Sequence, residues 1–272
     1  MVKLVGILNI TPDSFSDGGL YNSTQMAILK AEELIKDGAN IIDIGAESTR
    51  PTAIPITHNE EWNRLRYVVP YIVEIAHKNN VEISIDSRYS LTIRKLLDSG
   101  SNIDIINDVS GLKSINMIKL AAESAKKVIF MHNLGVPASK TKIMPIKSDI
   151  VKRINSWALK RMETFLENDI KKENLIFDPG IGFGKNKRQS WDIINNIDNF
   201  NDLGIPLMIG HSRKSFLGAK KQDINLQDEK TLEVSKYLLE RNIKYLRVHN
   251  VQLHNSFLEF GKDDALQNVL HG

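Results

Sequence analysis

Phe177-Asp178-Pro179-Gly180-Ile181-Gly182-Phe183-Gly184-Lys185 is the stretch from which the rest of the chain can be read. An apolar run, Leu175 to Phe177, stops on a carboxylate, and three glycines then free the backbone to turn sharply and to approach a ligand closely. A strand therefore delivers Asp178 either into a site or into a buried loop cap, and the segment alone supports both readings. The same design recurs along the chain. Runs rich in Val, Ile and Leu stand at Leu4 to Leu8, Ile41 to Ile44, Val81 to Ile85, Ile103 to Ile106, Lys127 to Met131, Leu175 to Phe177, Ile205 to Ile209 and Tyr245 to Val248, eight in all.

Between these runs apolar residues follow helical spacing: Ile28, Ala31, Ile35; Trp62, Leu65, Val69, Ile72, Ala76; Ile150, Ile154, Trp157, Phe165; Leu232, Ser235, Leu239. Shorter helices fit Leu91 to Leu97, Ile115 to Ala122 and Ser190 to Ile197, and a last one runs through Leu253, Phe257 and Phe260. The strand runs show little alternation of apolar and polar residues, as in parallel strands buried on both faces. Eight strand–helix units predict an α/β fold, a (β/α)8 TIM barrel spanning 1–272 as one domain. The least regular stretches, Glu47 to Asn59 and Gly135 to Pro145, follow strands two and five, on the rim where barrel enzymes keep their sites.

With 272 residues, 42% hydrophobic and 25% charged, the chain is an ordinary globular sequence. Its 36 basic and 33 acidic residues leave a net charge of +3 with no long basic run, which argues against nucleic acid as a partner. The absence of cysteine excludes disulfides, thiolate metal sites and a cysteine nucleophile. No signal peptide or membrane span is evident, so a cytoplasmic location is expected.

The residues at or just past the strand ends are Asn9, Gly45 leading to Glu47, Asp86, Asn107, His132, Asp178, His211 leading to Lys214, and His249 beside Arg247. A convergent ring of such groups carries more desolvation than a structural role accounts for, so the rim is read as a ligand site. Asp86, Asn107, Asp178 and Lys214 suit a flat heterocycle with amino, ring N–H and carbonyl groups. Thr49, Arg50, Arg247 and His249, with Lys185 and Arg213 as further candidates, suit an anion.

These segments resemble the dihydropteroate synthases. Leu8-Asn9-Ile10-Thr11-Pro12-Asp13-Ser14-Phe15-Ser16-Asp17-Gly18-Gly19 is similar to the family's first loop and Gly45-Ala46-Glu47-Ser48-Thr49-Arg50-Pro51 to its second. Ser84-Ile85-Asp86-Ser87, Ile106-Asn107-Asp108-Val109-Ser110-Gly111, Met131-His132, the strand-six loop, Ser212-Arg213-Lys214-Ser215-Phe216-Leu217-Gly218 and Arg247-Val248-His249 follow in the family's order. The resemblance implies condensation of 6-hydroxymethyl-7,8-dihydropterin diphosphate with p-aminobenzoate, giving 7,8-dihydropteroate and diphosphate, with Mg²⁺ as cofactor. It implies that Asp86, Asn107, Asp178 and Lys214 hold the pterin with Met131 against its ring, and that Asn9 helps hold the metal. It assigns Thr49, Arg50, Arg247 and His249 to the diphosphate, and Phe15, Pro51, Phe183, Ser212 and Lys214 to p-aminobenzoate. Asp86, Lys214, Asp17 and Arg247 carry the chemistry, a dissociative substitution in which carboxylates stabilise the pterin cation. Sulfonamides are expected to compete for the arylamine site, and a homodimer is expected.

Some positions depart from the family's pattern: Thr52 where Gly is common, His211 where a small residue is common, Lys230 for Gly and Asn250 for Asp. The chain also starts almost on strand one, where many relatives carry a hairpin, so either the barrel bottom is closed another way, which the length favours, or the chain is one part of a larger fusion. Two rival readings are a pterin-dependent methyltransferase, which needs neither the first loop nor the anion cluster, and a non-catalytic pterin-binding barrel.

Overall fold

The computed structural model describes residues 1–11, 19–49, 53–139, 141–220 and 222–261. In chain order the elements are β1 (Lys3–Asn9), α1 (Gly19–Lys36), β2 (Ile41–Gly45), α2 (His58–Leu65), α3 (Val69–Lys78), β3 (Glu82–Asp86), α4 (Ser90–Asp98), β4 (Ile105–Asp108) and α5 (Ile115–Ser124). They continue with β5 (Lys127–Met131), α6 (Ile150–Leu166), β6 (Leu175–Asp178), α7 (Lys187–Asn195), β7 (Met208–Ile209), α8 (Ile224–Leu239), β8 (Tyr245–Val248) and α9 (Val251–Phe260).

All strands are parallel, in the order β6-β5-β4-β3-β2-β1-β8-β7. A parallel bridge between Phe177 and Leu207 joins the two ends, so the sheet closes into the expected barrel. β7 is shorter than the apolar run Ile205 to Ile209 suggests. Pro206 has no N–H to give to a ladder, and its carbonyl only accepts from Phe177 N at 2.9 Å. The run from Trp62 to Ala76 is two helices and not one, because Pro70 lies in the first turn of α3 and cannot donate back to Arg66.

Alternate strand residues point to opposite faces, and the buried side chains sort accordingly. Val5, Ile41, Ile105, Ile129, Ile176, Met208 and Tyr245 form a separate apolar cluster inside the barrel. Their neighbours Leu4, Ile42, Ile106, Val128, Phe177 and Leu246 join the larger core between barrel and helices. Two residues further along, the interior positions become Ile7, Asp43, Asn107, Met131, Asp178, Gly210 and Arg247, with Ser84 beside Asp43 and Asp86 between Gly45 and Asn107 in the register. One step along the strands therefore turns the interior from hydrocarbon to polar. At the other end Glu82 is ion-paired to both Lys3 and Lys127, so charged side chains close the barrel bottom.

Candidate active site

The polar layer is built around a guanidinium. Arg247 on β8 donates Nε to Asp43 Oδ2 at 2.6 Å and Nη2 to Asp86 Oδ2 at 3.0 Å. Asp43 is fully buried and also accepts from Asn107 Nδ2 at 3.1 Å. Asn107 Oδ1 is buried and has no hydrogen-bond partner among the described residues, nor has Ser84 Oγ. Burial and the adjacent Asp43 push the Asp86 carboxyl well above the usual carboxylate range, and Arg247 only partly offsets them. Burial works against the Arg247 cation, but Asp43 and Asp86 more than compensate and hold it charged.

Asp43 is the site residue that sequence reasoning missed. The signal is a carboxylate inside the apolar run Ile-Ile-Asp-Ile, two residues before the end of β2.

On the far side of the mouth Asp178 accepts from Gly180 N at 2.7 Å. Burial raises its carboxyl, and Lys214 pulls it back down. Lys214 donates to Ile181 O and lies 4.6 Å from the centre of the Phe183 ring. Burial lowers its ammonium to about 8, opposed by Asp178. Met131, buried, lies beside Asp178 in the register of β5 and β6. Gly210 leaves open the space between the two halves, since a Cβ there would lie 3.7 Å from Asp178 Oδ2 and 3.8 Å from Arg247 Cδ. Asp86, Asn107, Met131, Asp178 and Lys214 thus line one mouth, and Arg247, expected with the anion group, lies between the carboxylates Asp43 and Asp86.

Ser212 and His249 also meet, with Ser212 Oγ 2.9 Å from His249 Nδ1 and accepting from His249 N at 3.2 Å. Residues assigned separately to arylamine and anion therefore touch. Thr49 is half-buried, and its carbonyl accepts from Ala138 N at 3.4 Å. Phe15, Asp17, Arg50 and Pro51 lie outside the described residues.

Four expectations for the rim need correction, each for a physical reason. By the two-residue period, Met131 faces the barrel, so His132 faces outward; it packs edge-on against Trp157 at 4.9 Å, and burial drives its pKa down to about 2. His211 likewise follows the inward Gly210 and turns toward α8, with Nε2 at 3.0 Å from Thr231 O and 2.9 Å from Ser235 Oγ. Arg213 is not free for an anion, because it is bidentate to Asp228 at 2.6 and 2.8 Å. Lys185 is buried, with its Nζ on His132 Nδ1 at 2.8 Å and on the carbonyls of His132, Gly180 and Phe183. Asn250, where Asp was noted as usual, donates Nδ2 to Asp228 Oδ2 at 3.0 Å. An Asp there would set a second carboxylate against Asp228.

Among the described residues no group of three or more His, Cys, Asp or Glu side chains could hold a metal ion. Asn9 stands exposed at the end of β1, paired with Gly45 in the register. Mg²⁺ keeps several waters and commonly takes its other ligands from substrate phosphates, so a single amide oxygen from the protein fits an ion carried by a diphosphate. Among the described residues no helix is long and apolar enough to cross a membrane.

Comparison with known proteins bears on the chemistry of this mouth. A family model described as pterin binding enzyme matches residues 5–249. The chain is 34% identical over 258 residues to a dihydropteroate synthase of Haemophilus influenzae, covering 94% of this chain and 92% of that one. Among solved structures it is similar to the dihydropteroate synthase of Anaplasma phagocytophilum with bound 6-hydroxymethylpterin-monophosphate, at 36% identity and a TM-score of 0.86 over 99% of both chains. It is also similar to the Yersinia pestis enzyme in a sulfonamide drug complex, at 32% identity and a TM-score of 0.79 over 92% of this chain and 90% of that one.

Proposed function

The chain belongs to the dihydropteroate synthases of the pterin-binding enzyme family, and from that premise we propose that it joins 6-hydroxymethyl-7,8-dihydropterin diphosphate to p-aminobenzoate. The observation that carries this reading is the polar layer of the barrel interior, where Asp43 and Asp86 share Arg247 and Asn107 keeps a buried Oδ1 with no hydrogen-bond partner among the described residues. A flat donor-rich heterocycle supplies the hydrogens that these acceptors lack. Asp86, Asn107, Asp178 and Lys214 hold its edge, Asp43 adds a further acceptor, and Met131 lies against the ring.

Arg247, His249, Thr49 and Arg50 take the diphosphate. Nε and Nη2 of Arg247 are committed to the carboxylates, so its remaining nitrogen meets the anion. Mg²⁺, when bound with the substrate through Asn9, supplies further charge neutralisation on the diphosphate. As the C–O bond of the pterin methylene breaks, negative charge grows on the leaving oxygen and is met by the Arg247 cation. Asp86 and Asp17 stabilise the carbon cation left behind. The arylamine, framed by Phe15, Pro51, Phe183, Ser212 and Lys214, then attacks the methylene and loses a proton. A weakly basic arylamine is already free at neutral pH, so no strong general base is needed.

Lys214→Ala and Arg247→Ala separate the two halves of the site in titration calorimetry. The first is expected to weaken a pterin alcohol and the diphosphate substrate alike, the second to weaken the diphosphate substrate more than the alcohol, which it also affects because Arg247 holds Asp86. Equal loss of the pterin alcohol in both variants contradicts the division. The same reading has the protein working as a cytoplasmic homodimer, for which the exposed Leu159 and Leu166, seven residues apart on α6, offer an apolar face. Sedimentation at micromolar concentration tests the dimer.

A further inference from the structure

Lys185 is buried beside the mouth, and the reaction as derived does not use it. Its Nζ has four acceptors for three hydrogens: His132 Nδ1 at 2.8 Å, Gly180 O at 2.8 Å, His132 O at 3.0 Å and Phe183 O at 3.1 Å. No hydrogen is left over for a ligand. Two of these acceptors belong to one turn, closed by Phe183 N donating to Gly180 O at 3.0 Å, and the other two come from the end of β5.

That turn needs outside support. Gly180, Gly182 and Gly184 all have positive φ, at +67°, +79° and +67°, a sequence of conformations with no repeating hydrogen bonds of its own. The Lys185 ammonium collects its inward carbonyls from below. From the mouth side Lys214 donates to Ile181 O and faces the Phe183 ring. The turn is thus held between two lysines, one buried and one at the surface of the cavity.

We propose that Lys185 is a positioning residue for the arylamine subsite, folding the turn from Gly180 to Phe183 around its ammonium and so fixing where the Phe183 ring meets Lys214. The proposal rests on the functional reading above. Burial presses the Lys185 ammonium well below its usual range, opposed by Asp178 and reinforced by Lys214. Asp178 faces Lys214 from the loop after β7, Arg247 from β8 and Lys185 from its own loop, while His132, at the end of β5, is held neutral.

Two substitutions separate geometry from charge. Lys185→Met removes donors and charge, whereas Lys185→Gln keeps two N–H donors without the charge. Steady-state kinetics of Lys185→Met should show KM for p-aminobenzoate raised about tenfold or more, the effect of losing a charged hydrogen bond, with KM for the dihydropterin diphosphate little changed at neutral pH. Lys185→Gln should recover most of the p-aminobenzoate KM. An unchanged p-aminobenzoate KM in Lys185→Met, or both KM values rising equally, overturns the proposal. If neither variant folds, 15N NMR of His132 in the wild-type protein decides. The clasp requires a bare Nδ1 and a protonated Nε2 at neutral pH, and a protonated Nδ1 overturns it. A wild-type protein without turnover defeats the functional reading instead, and leaves the NMR test of the clasp standing.

Discussion

Gly180 shows how tightly single residues are set at the mouth. A Cβ on it would lie 1.9 Å from the carbonyl oxygen of His132, at a φ of +67° that side chains disfavour. Gly180→Ala should therefore cost about 3 kcal/mol or more, because the left-handed penalty adds to a clash with backbone that cannot yield. Urea denaturation at neutral pH checks this, and a loss below about 1 kcal/mol contradicts the packing. Lys214 gives a second prediction. Its ammonium is lowered to about 8, so the cation is lost as pH rises through that value. Arylamine kcat/KM should fall on the alkaline side with a matching apparent pKa, and Lys214→Arg, which stays charged, should abolish that limb. At this scale the sequence was legible where strand parity agreed with position in the motif. Asp86, Asn107, Asp178 and Arg247 converge, while His132 and His211, one residue past inward-facing positions, turn to the helices.

The pairing of α2 with the turn after β3 carries a prediction of its own. Glu61 on α2 is fully buried and accepts from Ser87 Oγ at 2.6 Å, and among the described residues its other oxygen has no hydrogen-bond partner. Burial raises its carboxyl from 4.5 to about 7. The folded state therefore holds a proton that the unfolded chain releases earlier. The resulting stabilisation is complete below the unfolded pKa and is lost as pH rises through about 7. Glu61→Gln, neutral throughout, should flatten this dependence and exceed the wild type by up to about 3 kcal/mol at alkaline pH. Urea denaturation on both sides of neutrality reads it, and parallel pH profiles for the two proteins contradict it. Periodicity placed the elements but not their breaks. The helix predicted through Trp62 and Ala76 divides at Pro70, and β7 shrinks at Pro206, because a missing N–H outweighs an apolar pattern.

The barrel as a whole was legible because eight near-continuous apolar runs leave few ways to bury parallel strands. What was not legible is the division of its interior into layers, since Asp43 reads as an interruption of β2 until the register places it beside Ser84 and near Arg247. On the proposed reading that layer, with Arg247 shared between two carboxylates, makes the mouth a site and not a plug. Removing Arg247 leaves the buried Asp43 with Asn107 alone and the buried Asp86 without its cation, so Arg247→Ala should lose about 3 kcal/mol of stability or more, as well as activity. At the same scale, from the likeness to an enzyme solved with a sulfonamide drug, sulfamethoxazole is expected to inhibit competitively with p-aminobenzoate. Growth complementation indifferent to the drug contradicts that. The most direct test of the account is diphosphate release by the purified protein given dihydropterin diphosphate and Mg²⁺, with and without p-aminobenzoate. Release coupled to dihydropteroate formation and lost in Lys214→Ala is predicted; tight pterin binding with no release in the presence of p-aminobenzoate would contradict it.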